Sequence, residues 1–280
     1  MSPRSWSSLR AVALVIASLC AASHAAGSDE NLPAHDVCLA PAELGAFNAG
    51  LPKTRALLAS GRALKIVALG SSSTAGAGAS ASRFNYPSRL AAELARRNPQ
   101  ATIEILNRGI NGEDAPENLA RLDQDVIADR PDLVIWQTGT NAILREADVD
   151  EFDRSVQNGI DRMRQAGIEI VLMDPQYAPR VNQFADHLRT IEQLDAIGRR
   201  NRVPVFHRYA VMKYWAGTQS VPPSIHPANM ISPDGLHMND TSYGCVAQRL
   251  ADAIVDVRVG AREPASAAPA MRGGVLDRKQ

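Results

Sequence analysis

The chain has 280 residues, enough for one domain with a sizeable core. Its 30 basic and 30 acidic residues cancel, and 45% of its residues are hydrophobic, an ordinary globular proportion. No basic excess points to nucleic acid, and no acidic run suggests a solvating tail.

Residues 1–25 read as a signal peptide. Arg4 and Arg10 give a positive start, and 11–22 is an apolar stretch too short to span a bilayer. Ser23-His24-Ala25 then puts small residues at the two cleavage positions. Leu19 stands before Cys20 where a lipoprotein signal would carry a small residue, which argues against lipidation. The expectation is a periplasmic or secreted protein with no membrane attachment after cleavage. Cys38 and Cys245 would remain, and an oxidising compartment allows one disulfide between the N-terminal extension and the last helix. Two buried thiols are the alternative.

Residues 26–63 form a mixed extension, with a helix over 51–60 stopped by Gly61. The short apolar run 64–69 reads as a strand that feeds Gly70-Ser71-Ser72-Ser73-Thr74. A helix follows over 86–98, carrying Leu90 and Leu94 on one face. A second strand over 102–106 runs into Asn107-Arg108-Gly109-Ile110-Asn111-Gly112. The stretch 115–129 reads as a helix, with Leu119, Leu122 and Val126 in phase. A third strand over 132–136 ends in Gln137-Thr138-Gly139-Thr140-Asn141. Helix 149–165, strand 168–173, loop 174–180, helix 182–200 and strand 203–206 come next. A helical turn over 209–215 and a proline-rich loop over 217–233 lead to a closing helix at 239–257. The remainder, 259–280, has the composition of a disordered tail.

Strands that alternate with helices imply an α/β domain with a parallel sheet and right-handed crossovers. Near-continuous apolar strands fit a sheet covered on both faces. Three strand ends, 70–74, 109–112 and 139–141, carry small or polar residues and can open on one sheet edge, where such folds bind ligands. Asp234-Gly235-Leu236-His237 could supply a base and its orienting carboxylate. Gly76-Ala77-Gly78-Ala79-Ser80-Ala81 has a dinucleotide-fingerprint spacing but sits beyond the strand end, so it reads as a small-residue loop. His226, Asp234 and His237 lack the spacing of a metal site, so neither metal nor organic cofactor is expected. Nothing in the pattern sets an oligomeric state.

Taken in order, the four blocks resemble those of the SGNH hydrolases, also called GDSL esterases and lipases. Gly70-Ser71-Ser72-Ser73-Thr74 matches the first block, with Ser72 at the nucleophile. Residues 107–113 resemble the second, with Gly112 at the functional glycine. Gly139-Thr140-Asn141 matches the third, and Asp234-Gly235-Leu236-His237 the last. The similarity runs from about residue 65 to about 254. The family usually has Asp where this chain has Ser71.

The resemblance implies a three-layer, flavodoxin-like sandwich over 64–258, with about five parallel strands in a central sheet. It implies Ser72, His237 and Asp234 as a catalytic set. The oxyanion donors would be the Ser72 and Gly112 N–H groups and the Asn141 side chain. Tyr177 and Arg180, beyond the fourth strand, are candidate substrate contacts at the same edge. The expected activity is hydrolysis of a carboxylic ester, small or glycan-borne, with deacetylation of a carbohydrate in view. Acyl transfer to a sugar hydroxyl and a non-catalytic glycan- or partner-binding module stand as alternatives.

Overall fold

A computed structural model describes residues 38, 40–217 and 230–255. The expected signal segment 1–25, the expected tail 259–280, His226 and most of the proline-rich loop lie outside the described residues.

Five strands form one all-parallel sheet in the order β2-β1-β3-β4-β5. They are β1 (Leu64–Gly70), β2 (Ile103–Gly109), β3 (Leu133–Gln137), β4 (Glu169–Met173) and β5 (Val205–Phe206). Helices α1 (Ala42–Gly45) and α2 (Pro52–Ala59) precede β1. Helices α3 (Ser72–Ala75) and α4 (Tyr86–Arg97) separate β1 from β2, and α5 (Ala115–Ala120) lies between β2 and β3. Between β3 and β4 come α6 (Thr140–Leu144) and α7 (Val149–Gln165). Next are α8 (Pro179–Asn182) and α9 (His187–Asn201), and after β5 come α10 (Arg208–Gly217) and α11 (Asp240–Val255).

Side chains alternate across each strand, so the sheet has two apolar faces. Ile66, Ala68, Leu133, Ile135, Val171 and Met173 face α2, α4, α10 and α11 in one buried cluster. Val67, Leu69, Val134, Trp136, Ile170 and Leu172 face α5, α7 and α9 in the other. This is the expected three-layer sandwich.

Local chemistry explains the element ends. Asn85 caps α4 by accepting from the Ser88 N–H at 2.9 Å, with Pro87 in its first turn. Asp148 caps α7 in the same way through Glu151, and Gly167, at φ +74°, follows its end. Helix α7 lies close on the sheet at Gly159, where a Cβ would overlap the Trp136 ring. Trp136 is wholly buried and donates its indole N–H to Asn118 at 2.9 Å. Cys38 and Cys245 form a disulfide that fastens the N-terminal extension to α11.

Two long helices come out shorter than the sequence pattern indicates. The 115–129 stretch leaves the α-helix after Ala120 and passes into a wider π turn, Asp123–Ile127. Leu122 and Val126 remain buried, so the apolar phase holds while the hydrogen bonding changes. The 182–200 stretch starts late, at His187, because Pro179 opens a separate short turn. Conversely, β2 runs three residues beyond its apolar run, since Asn107, Arg108 and Gly109 keep pairing with β1.

In the 2-1-3-4-5 order, chain connections diverge between β1 and β3. The crevice beyond their carboxyl ends is where such sheets bind ligands. The first and third sequence blocks begin there.

Candidate active site

Strand β1 ends at Gly70, which faces Gly109 at the end of β2. The chain then turns sharply into α3. A Cβ on Gly70 would overlap the Thr74 hydroxyl, so the turn needs glycine for close approach. Of the three serines, Ser71 and Ser73 are buried and only Ser72 is half-exposed. The Ser71 hydroxyl donates to Gln137 Oε1 at 3.0 Å, and that of Ser73 points to Gln176 Oε1 at 3.4 Å. Ser72 Oγ instead lies 2.8 Å from His237 Nε2, across 165 residues of chain.

His237 comes from a tight loop held by its own hydrogen bonds. Ser232 N–H donates to the His237 carbonyl at 2.7 Å, and Ile231 bridges Met238. Gly235, at φ +71°, makes the turn that brings Asp234 back toward the imidazole. Asp234 Oδ2 lies 2.5 Å from His237 Nδ1. Asp234 Oδ1 accepts from the Ser232 hydroxyl and from the Leu236 and His237 N–H groups. Burial acts to raise the Asp234 pKa, but these donors, His237 first, outweigh it and hold the carboxyl well below the usual range.

An ionised carboxylate can only accept, so Nδ1 carries the imidazole proton and Nε2 presents its lone pair to the Ser72 hydroxyl. That order of groups can withdraw a proton from the alcohol and return it to a leaving group. The small-residue loop supports it from behind. Gly78 packs against the His237 block, where a Cβ would come within 2.9 Å of His237 Cβ.

The second and third blocks are tied to this turn. Ile110 N–H donates to the Gly70 carbonyl at 3.0 Å, and Asn107 Nδ2 to the Thr74 carbonyl at 2.8 Å. Asn141 Nδ2 donates to the Glu113 carbonyl at 2.7 Å, which links the third block to the second. Asp114 strengthens that link by accepting from the Thr138 hydroxyl and the Gly139 N–H. Among the described residues, the Ser72 and Gly112 N–H groups have no hydrogen-bond partner. Gly112 is exposed and has φ +82°, a conformation that favours glycine.

Residues 37–258 match the profile of the Non-GDSL lipase-like family. The chain belongs to this family. The match agrees with the SGNH-type resemblance of the four sequence blocks. Over 105 residues the chain is 29% identical to an acetylxylan esterase of Geobacillus stearothermophilus. That stretch is 34% of this chain and 48% of the relative, so the match spans about half the relative's length. A solved two-domain esterase active on acetylated mannans is similar with a TM-score of 0.61 and 21% identity, over 81% of this chain and 60% of that one. A lipase/acylhydrolase from Enterococcus faecalis is similar with a TM-score of 0.58 and 20% identity, over 69% of this chain and 96% of that one. At these identities the solved structures establish a shared fold.

In this non-GDSL member, Ser71 stands where an aspartate is usual, and its surroundings are neutral to match. Gln137 Oε1 accepts from the Ser71 N–H, the Ser71 hydroxyl and the Thr74 hydroxyl at 3.0, 3.0 and 3.1 Å. No counter-charge is needed for three neutral donors meeting one amide oxygen.

Tyr177 is half-buried, edge-on to Tyr209 with ring centroids 5.4 Å apart. With Met212, Met230 and Ile231 it lines a largely apolar cavity of about 330 Å³. Arg180 is exposed, and its backbone N–H donates to Gly235, which seats it against the Asp234–His237 loop. Among the described residues, no three His, Cys, Asp or Glu side chains cluster as metal ligands. No described helix is long and apolar enough to cross a membrane.

The depressed Asp234 pKa has a consequence for stability. Its folded value lies below the ordinary 3.8, so the carboxylate contributes stability above 3.8 and loses it as pH falls through the folded value. Denaturant unfolding of Asp234→Asn should therefore show a gap from the parent that is constant near neutral pH and closes in acid. A gap unchanged down to about pH 2 contradicts this linkage.

Proposed function

We propose that this chain is an exported carbohydrate esterase that hydrolyses carboxylic esters, acetyl groups among them, through an acyl-serine intermediate. The observation that carries the reading is the Ser72–His237–Asp234 chain, with steps of 2.8 and 2.5 Å. Supporting the substrate class are the acetylxylan esterase relative and the fold shared with an esterase active on acetylated mannans. Supporting export is the signal-like pattern of 1–25.

In the first half-reaction, Ser72 Oγ attacks the ester carbonyl while His237 Nε2 takes the hydroxyl proton. The carbonyl oxygen becomes an oxyanion, received by the Ser72 and Gly112 N–H groups and the second Asn141 amide hydrogen. Collapse breaks the bond to the alcohol, which leaves with the proton from His237. In the second half-reaction, water attacks the acyl-serine, giving its proton to His237. The acid departs and Ser72 regains its hydrogen. Asp234 holds the imidazole orientation and stabilises its cation. Tyr177 and Arg180 flank the incoming ester.

Asn141→Ala should fold normally and lose about a hundred- to a thousandfold in kcat, the usual cost of one oxyanion donor. Stopped assays on a p-nitrophenyl ester, with melting curves alongside, check both halves of that statement.

The substrate test compares acetate release from acetylated xylo- and manno-oligosaccharides with hydrolysis of p-nitrophenyl esters of increasing chain length. Release from the sugars, with a fall in rate beyond short acyl chains, is expected. Transfer to an added sugar acceptor in excess of hydrolysis would replace hydrolase with acyltransferase. A folded protein whose Ser72 resists a fluorophosphonate would leave a binding module.

A further inference from the structure

One buried polar side chain near the site has no part in the steps above. Gln176 lies in the loop after β4 and is wholly buried. Its Oε1 accepts from Arg208 Nη2 at 2.9 Å, from the Thr140 hydroxyl at 3.0 Å and, at 3.4 Å, from the Ser73 hydroxyl. Its Nε2 donates to the Leu236 carbonyl at 3.1 Å. Three of these four partners sit beside site residues in the chain. Ser73 follows Ser72, Thr140 precedes Asn141, and Leu236 precedes His237.

The amide cannot be turned over. Arginine only donates, so the oxygen must face it, and a carbonyl only accepts, so the nitrogen must face Leu236. Arg208 anchors the arrangement from below. It is fully buried and also donates through Nε to the Asp174 carbonyl at 3.0 Å. Burial lowers its guanidinium to about 10, which leaves it charged at neutral pH, and the bond to Gln176 is charge-assisted.

We infer that Gln176 is a positioning residue, whose single amide keeps the Ser72, Asn141 and His237 segments in mutual register. Its burial keeps it from substrate, so its influence falls on the chemical step and leaves substrate binding alone. The inference rests on the esterase reading. A catalytic group displaced by about 1 Å can cost a hundredfold in rate.

Gln176→Glu is the direct test. The variant keeps an acceptor for Arg208 and Thr140 but sets a carboxylate oxygen against the Leu236 carbonyl, where a donor is required. At a temperature well below melting, kcat should fall about 10- to 100-fold while KM stays within about twofold. The rate at which a fluorophosphonate labels Ser72 should fall by the same factor. Thr140→Val, which removes one hydroxyl from the hub at nearly constant shape, should lower kcat several-fold with KM unmoved. It decides the matter if Gln176→Glu fails to fold. Parent protein that does not label at Ser72 sinks the esterase reading itself. Parent protein that labels, beside variants whose kcat and labelling rate stay within twofold of it, overturns the role of Gln176. A rise in KM with kcat intact overturns it too.

Discussion

Ser72→Ala should lose about a millionfold in kcat, comparable to removing a whole hydrolytic triad. The neighbours cannot take over. Ser71 is turned inward to Gln137 and Ser73 toward Gln176, and both are buried. Only Ser72 meets the imidazole. The variant should melt with the parent, because the lost hydroxyl is half-exposed and its removal leaves no cavity. Residual turnover above the uncatalysed rate would come from the oxyanion donors and from binding. Acetate release and the mass of the fluorophosphonate-labelled peptide check the result together. Undiminished hydrolysis by Ser72→Ala would move the nucleophile elsewhere.

The second large effect belongs to Gly109. A Cβ at this position would overlap the backbone of Thr74 and Ala75, in the turn that carries Ser72. Backbone cannot swing aside as a side chain can, so the strand end or the turn must move. Gly109→Ala should cost about 3 kcal/mol of stability, near the upper end for overpacking. For a domain of this size that is a fall of about 6–12 °C in Tm. Activity should drop at temperatures where the variant is still folded, since the turn that moves is the one that presents the hydroxyl. Gly112→Ala is the control. Open space surrounds a Cβ there, and only the φ of +82° resists it, for a cost of about 1–2 kcal/mol. A Gly109→Ala protein as stable as its parent would contradict the close approach of the two loops.

Much of this architecture could be read from residues in isolation. The run Leu64 to Leu69 is apolar throughout because both of its faces are covered, and it ends where glycine and hydroxyls begin. Helix α7 carries its own stop and start signals in Asp148 and Gly167. Helix 115–129 misled because apolar periodicity reports which side faces the sheet, and says little about whether a turn closes with four residues or five. The order of the four blocks pointed to Ser72, Asn141, Asp234 and His237 without any knowledge of distance. Gln176 and Arg208 carried no such mark. A buried glutamine looks like any loop glutamine when its partners come from residues 73, 140, 208 and 236. The proline ahead of it and the arginine at the start of α10 offered no pattern either.

The separation of 165 residues between Ser72 and His237 has a bearing on how the molecule comes into being. A chain emerging amino end first would present its alcohol long before its imidazole exists. On the esterase reading, turnover would begin only once β5 and α10 have passed and His237 can reach Ser72. Appearance of turnover would serve as a clock for completed maturation.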